Sequence, residues 1–216
     1  MATCLALQLF FGIAINLAHA QPVWDFYAYG FVLSLAQLSH GRVWTLLTYG
    51  AVHDLGDPLH VLFNCIGLYY FMPQFEKRRG TRATLRFLLL TVLAGGGLQS
   101  LWQLLSVHML GGEPAGTVGI SAAVVGLLAA YGWQQPNARV QLMLVIPLEA
   151  RWLAPVCLGV DLLLFVSGSH VAFFAHLGGY LAAWFLIQGR GDPQFVWQRL
   201  RLPRSGRRAS RLIVVN

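Results

Sequence analysis

The chain has 216 residues, 56% of hydrophobic type and only 11% charged, with a formal net charge of +7. A soluble globular chain carries about 25% charged residues, so this one cannot cover a water-facing surface, and the same apolarity excludes intrinsic disorder. The positive charge is not a nucleic-acid footprint, because the basic residues sit beside long apolar runs; the composition is that of a polytopic membrane protein whose first partner is the lipid bilayer, with no nucleic-acid partner.

A helix needs about 17–25 predominantly apolar residues to cross a bilayer. Six segments approach that description: 2–18, 58–72, 85–105, 117–133, 152–167 and 170–188. The first also carries a small-residue Ala18-His19-Ala20 pattern of the kind found at signal-peptide cleavage sites. No basic residue precedes its apolar run, so a retained span is expected. Between the first two spans, 19–57 reads as an extracytoplasmic interfacial loop, because Trp24, Phe26, Tyr27, Tyr29, Phe31 and Trp44 suit the headgroup level. Charge sets the orientation: 14 of the 15 basic residues fall on one side of this arrangement and only Arg42 lies opposite. Cytoplasmic loops carry the Lys and Arg excess, so both termini are expected in the cytoplasm. The domain reading is a six-helix membrane domain over 1–188 and a basic cytoplasmic tail over 189–216, attracted to anionic lipid. Cys4, Cys65 and Cys157 lie far apart in apolar stretches, with no metal-site spacing.

Ionisable or strongly polar side chains inside spans are costly and point to function by default. The second span opens with His60 and Asn64, four apart and so on one helical face. The fourth contains Ser121 within Gly119-Ile120-Ser121-Ala122, the fifth Asp161 and the sixth His176. Taken singly, each has a structural explanation: Ser121 bonds its own helix, His176 packs, His60 and Asn64 tie helices together, and Asp161 pairs with a neighbouring helix. Depth argues otherwise. Ser121 lies roughly 6 Å and His176 roughly 9 Å inside their spans at 1.5 Å per residue, both counted from the outer face. Small residues at Gly119, Ala122, Ala123 and Gly126 in span four, and at Ala175, Gly179 and Ala183 in span six, permit a close crossing. Such a crossing puts Ser121 Oγ within reach of the His176 imidazole, a serine nucleophile with a histidine base. Asn64 and His60 are placed to donate to a developing oxyanion.

These residues resemble the rhomboid family of intramembrane serine proteases, over 44–186. The resemblance is carried by His60-x-x-x-Asn64 on the second helix, Gly119-x-Ser121 at the start of the fourth and His176-x-Gly178-Gly179 on the sixth. Glu76-Lys77-Arg78-Arg79-Gly80 is similar to the family's turn after helix two, and 145–152 to the segment before helix five in bacterial members. The resemblance implies an all-α, six-transmembrane-helix rhomboid-like bundle. It also implies an endopeptidase that cuts single-pass or polytopic membrane protein substrates near the extracytoplasmic face, without metal or cofactor. Ser121 and His176 would be the catalytic pair. Asn64, His60 and the Ser121 backbone N–H would hold the oxyanion, with Gly119 shaping the backbone. Because the family works with a Ser–His dyad, Asp161 need not serve. Two departures stand out: Ala122 replaces a common glycine, and Val125 occupies a position where an aromatic ring often packs the histidine, so another side chain must hold that imidazole. The small core without appended domains suggests a bacterial inner membrane. A non-catalytic rhomboid-like chaperone or adaptor is the alternative, opposed by the intact Ser121 and His176. A transporter is opposed by the lack of paired interrupted helices. Nothing in the sequence sets the oligomeric state.

Overall fold

The computed structural model describes residues 2–17, 19–142, 146–169 and 171–187. The tail 189–216, with seven of the basic residues behind the orientation argument, lies outside the described residues, as do the outermost positions of the predicted sixth span, His170 and Gln188.

Helix α1 spans Ala2–Gly12 and runs into a π-helical stretch, Ile13–Leu17. The predicted interfacial loop is built of short helices: α2 (Gln21–Phe31), α3 (Leu35–Ser39), and α4 (Thr45–Thr48) with a 3-10 turn over Tyr49–Ala51. Its apolar side is buried at Tyr27, Leu33 and Tyr49, while Trp24, Phe26, Tyr29 and Trp44 remain exposed. Tyr49 Oη donates to the Val92 carbonyl at 2.8 Å, tying this layer to the helix below.

Helix α5 (Pro58–Arg79) starts where the sequence dictates: Asp57 caps it, accepting from the Leu59 and His60 N–H groups, and Pro58 fits the first turn, where no N–H partner exists. The apolar run ends near Met72, yet the helix continues through Lys77, Arg78 and Arg79, cations suited to a helix C-terminus. Gly80, at φ +82°, ends it, and Thr81 Oγ1 donates to Glu76 Oε1 at 2.7 Å across the turn into α6 (Thr81–Met109).

Helix α7 (Ser121–Gln134) is the axis of the molecule. Ten of its fourteen residues are buried, and α5, α6, α8 (Leu153–Val166) and α9 (Phe173–Ile187) pack around it. The crossings are close because small residues meet. A Cβ built on Gly179 of α9 would lie 2.0 Å from the Ala122 carbonyl oxygen of α7. The small face expected of the sixth span is buried, with Ala175 and Ala183 at 1% and 0% exposure. The outer helices turn leucines such as Leu85, Leu101 and Leu163 away from the core, the arrangement of a bundle immersed in an apolar solvent.

Three features depart from the expectation. Helix α7 begins at Ser121 and not at Thr117, because Thr117 pairs antiparallel with Leu33, each N–H bonding the other's carbonyl. The connection before α8 contains a two-stranded hairpin, β1 (Arg139–Leu142) and β2 (Ile146–Glu149), so the all-helical class carries one small sheet. Helices lie on all six predicted segments, but among the described residues only α6 has both the length and the apolarity to cross a membrane.

Candidate active site

Four elements meet at one point. Ser121 is the first residue of α7, after Gly119, whose φ of +114° turns the chain into the helix. That position is closed to other residues twice over. The left-handed backbone favours glycine, and a Cβ there would sit 2.6 Å from His60 Nε2. The same point is 3.7 Å from Ser121 Oγ, so the His60 ring and the serine hydroxyl flank one small gap. The Gly119 N–H donates to the Tyr49 carbonyl at 2.8 Å. At a helix start the first N–H groups have no intrahelical partner, so the Ser121 N–H has none within α7.

His176 stands in the first turns of α9, and Nε2 lies 2.7 Å from Ser121 Oγ. The α9 start is held from α6: Gln99 Oε1 accepts from the Ala175 N–H at 3.2 Å, and Trp102 stacks on Phe174 with ring centroids 4.4 Å apart. On the far side of the imidazole, Nδ1 lies 2.6 Å from Asp161 Oδ2 of α8. The side chains of His176 and Asp161 are each 16% exposed. The sequence placed Asp161 against a neighbouring helix without assigning it to the site; its partner is the site histidine.

Asn64 is buried, and its Nδ2 donates to the His60 carbonyl one turn back at 2.9 Å. One amide hydrogen is thus used within α5 and a second remains. A cavity of about 470 Å³ opens beside the serine, lined from α5, α7, β1, α8 and α9; Asn64, Ser121, Val125, Cys157, Asp161 and His176 are among its lining residues. His60 does not line it but packs against Gly119, edge-on to the ring of His53 at 5.3 Å between centroids. His53 is fully buried with neither ring nitrogen hydrogen-bonded, and burial, reinforced by His60, pushes its imidazole down to about 4.

Residues 40–190 match the Rhomboid domain family. The chain belongs to the rhomboid family. It is similar to the RHOMBOID-like protein 12, mitochondrial, of Arabidopsis thaliana, with 31% identity over 168 residues that cover 71% of this chain and 48% of the relative. The chain therefore spans about half the length of that curated relative. The relative is named for mitochondria, so it lends no support to a bacterial inner membrane for this rhomboid. Family membership makes the chain a membrane protein and agrees with its helical fold. The sequence singled out His60, Asn64, Gly119, Ser121, Asp161 and His176, which the structure brings together, but not Gln99, Tyr49, His53 or the Trp102–Phe174 stack. A glutamine inside an apolar helix was the available signal for Gln99; Tyr49 acts through its main chain and left none.

Proposed function

We propose that this rhomboid is an intramembrane serine endopeptidase, anchored by six spans with both termini cytoplasmic, that cuts substrate transmembrane segments near the extracytoplasmic face. The observation that carries this reading is the 2.7 Å contact between Ser121 Oγ and His176 Nε2 at the edge of an open cavity. A serine hydroxyl is a weak nucleophile until a base takes its proton, and that contact has the required reach.

In this reading Ser121 Oγ attacks the scissile carbonyl as His176 Nε2 accepts the hydroxyl proton. The carbonyl oxygen becomes an oxyanion, held by the Ser121 N–H, the second Asn64 amide hydrogen and His60, with Gly119 keeping the backbone close. His176 returns its proton to the leaving amine, and a water repeats the cycle to release the acyl group. The cavity beside Ser121 receives the substrate. A helical peptide bond is shielded by its own hydrogen bonds, so substrates carrying helix-weakening Gly or Pro near the cut are favoured.

The test is labelling of the purified protein by a fluorophosphonate probe together with cleavage of a model transmembrane substrate in liposomes. Labelling and cleavage that vanish in Ser121→Ala support the protease; a folded protein that neither labels nor cleaves is a non-catalytic rhomboid-like binder.

A further inference from the structure

The polar groups outside the Ser121–His176 pair narrow to one with a direct line to the reacting atoms. Helix α8 reads Leu153 to Val166 with a single charged side chain, Asp161. Removing a carboxylate from water costs several kcal/mol, about that order for each ion after relaxation, unless a partner and good geometry offset it. Asp161 has that partner, and it is the imidazole nitrogen that faces away from the serine. Val125, buried in the same cavity wall, has no polar atom with which to hold the ring. The α9 backbone is already fixed through Gln99 and the Trp102–Phe174 stack. What remains undetermined without Asp161 is the ring itself: its rotation, and which nitrogen carries the proton.

We propose that Asp161 is a positioning residue that turns the Ser121–His176 pair into a three-member hydrogen-bonded unit; this rests on the protease reading above. Asp161 Oδ2 accepts from His176 Nδ1–H, so the proton is held on Nδ1 and the Nε2 lone pair is aimed at the serine hydroxyl. As the Oγ–carbon bond forms, the serine proton moves to Nε2 and the carbonyl electron pair moves to oxygen. The imidazolium then lies against a carboxylate that stays ionised throughout. When the carbon–nitrogen bond breaks, the Nε2 proton leaves on the amine and the imidazole returns to its starting form. Fixing tautomer and orientation in this way is the established use of a buried carboxylate behind a catalytic histidine, and its loss elsewhere costs about 10⁴-fold in kcat.

Asp161→Asn tests this, because it keeps the side-chain volume and removes the charge. Expected is a fall of at least about 100-fold in kcat and in fluorophosphonate labelling rate, with KM within about twofold and the melting temperature nearly unchanged. A carboxylate that merely packs α8 against α9 predicts the reverse, a lower melting temperature with kcat near normal. Labelling and kcat of Asp161→Asn within about threefold of the unmodified protein overturn the proposal. Should that variant not fold, Asp161→Leu gives the second measurement: an apolar residue suits α8, and loss of labelling in a well-folded Leu variant supports the role, while normal labelling overturns it. Failure of the protease reading is separate, since it appears as no labelling of the unmodified folded protein or as labelling that survives Ser121→Ala.

Discussion

Gly179 of α9 and Ala122 of α7 touch through their backbones: the glycine has no room for a Cβ, because the Ala122 carbonyl oxygen lies 2.0 Å from where that atom would be. Ala122 follows Ser121 and Gly179 lies three residues after His176, so this one contact sets how near those two side chains come. Any side chain at Gly179 must push the helices apart.

Gly179→Ala is therefore expected to lower both stability and activity. Overpacking of this kind costs about 1–3 kcal/mol, read as a lower melting temperature, and a small separation of α7 and α9 breaks the 2.7 Å contact and slows labelling at Ser121. Gly97 of α6, where an added Cβ meets nothing within 4 Å, is the control, and Gly97→Ala should leave both measurements nearly unchanged.

Ser121→Ala and His176→Ala should each abolish cleavage of a transmembrane substrate while leaving the melting temperature close to that of the unmodified chain. Groups that act as one unit are grossly non-additive, so the double variant should be no slower than either single one. Substantial cleavage by Ser121→Ala would overturn the mechanism.

Asn64→Ala separates an oxyanion donor from a structural tie. Loss of one donor costs about 10²–10³ in kcat, with KM and melting temperature unchanged. The tie reading is specific here, since Asn64 already donates to the His60 carbonyl. Ties of this sort average about 0.6 kcal/mol in membrane helices, and their loss shows as a lower melting temperature with near-normal kcat.

Acid should weaken the fold through His53. Its folded-state value of about 4 lies below the ordinary 6.5, so between those pH values the unfolded chain binds a proton that the folded chain refuses. Stability is thus undiminished by this group above about 6.5 and declines as pH falls toward about 4. Comparing melting temperatures at pH 7 and pH 5 in the unmodified protein and in His53→Phe checks it: the acid-induced drop should shrink in the variant, and an equal drop would assign it to other groups.

Much of this arrangement was legible because membrane helices advertise themselves by apolarity and membrane sites by polar exceptions to it. His60, Asn64, Ser121 and His176 were found as such exceptions, and the small residues around Gly179 foretold which helices cross closely. Helix limits were less legible. Apolarity continues upstream of Ser121, but Thr117 bonds to Leu33, 84 positions away, a pairing that no local pattern encodes. The hairpin after α7 is short and mixed in polarity, so its strands left no alternation long enough to read. Asp161 was visible as a charge in an apolar helix, but its destination depended on how α8 and α9 are rotated, which hydropathy does not determine.

Helix α7 is about 21 Å long at 1.5 Å per residue, well short of a hydrocarbon layer about 30 Å thick. In the six-span arrangement proposed above, the chain before Ser121 would be irregular at a depth where unsatisfied peptide groups are forbidden unless protein shelters them. Here the main chain does the sheltering, through the paired bonds of Leu33 with Thr117 and the bond from Gly119 to Tyr49. Bonds between peptide groups are indifferent to side-chain identity. Leu33 can thus exchange its side chain for another of similar bulk as the sequence drifts, whereas the Thr117 hydroxyl also accepts from Gln103 Nε2; proline is barred at both positions, since each N–H is given to the other's carbonyl.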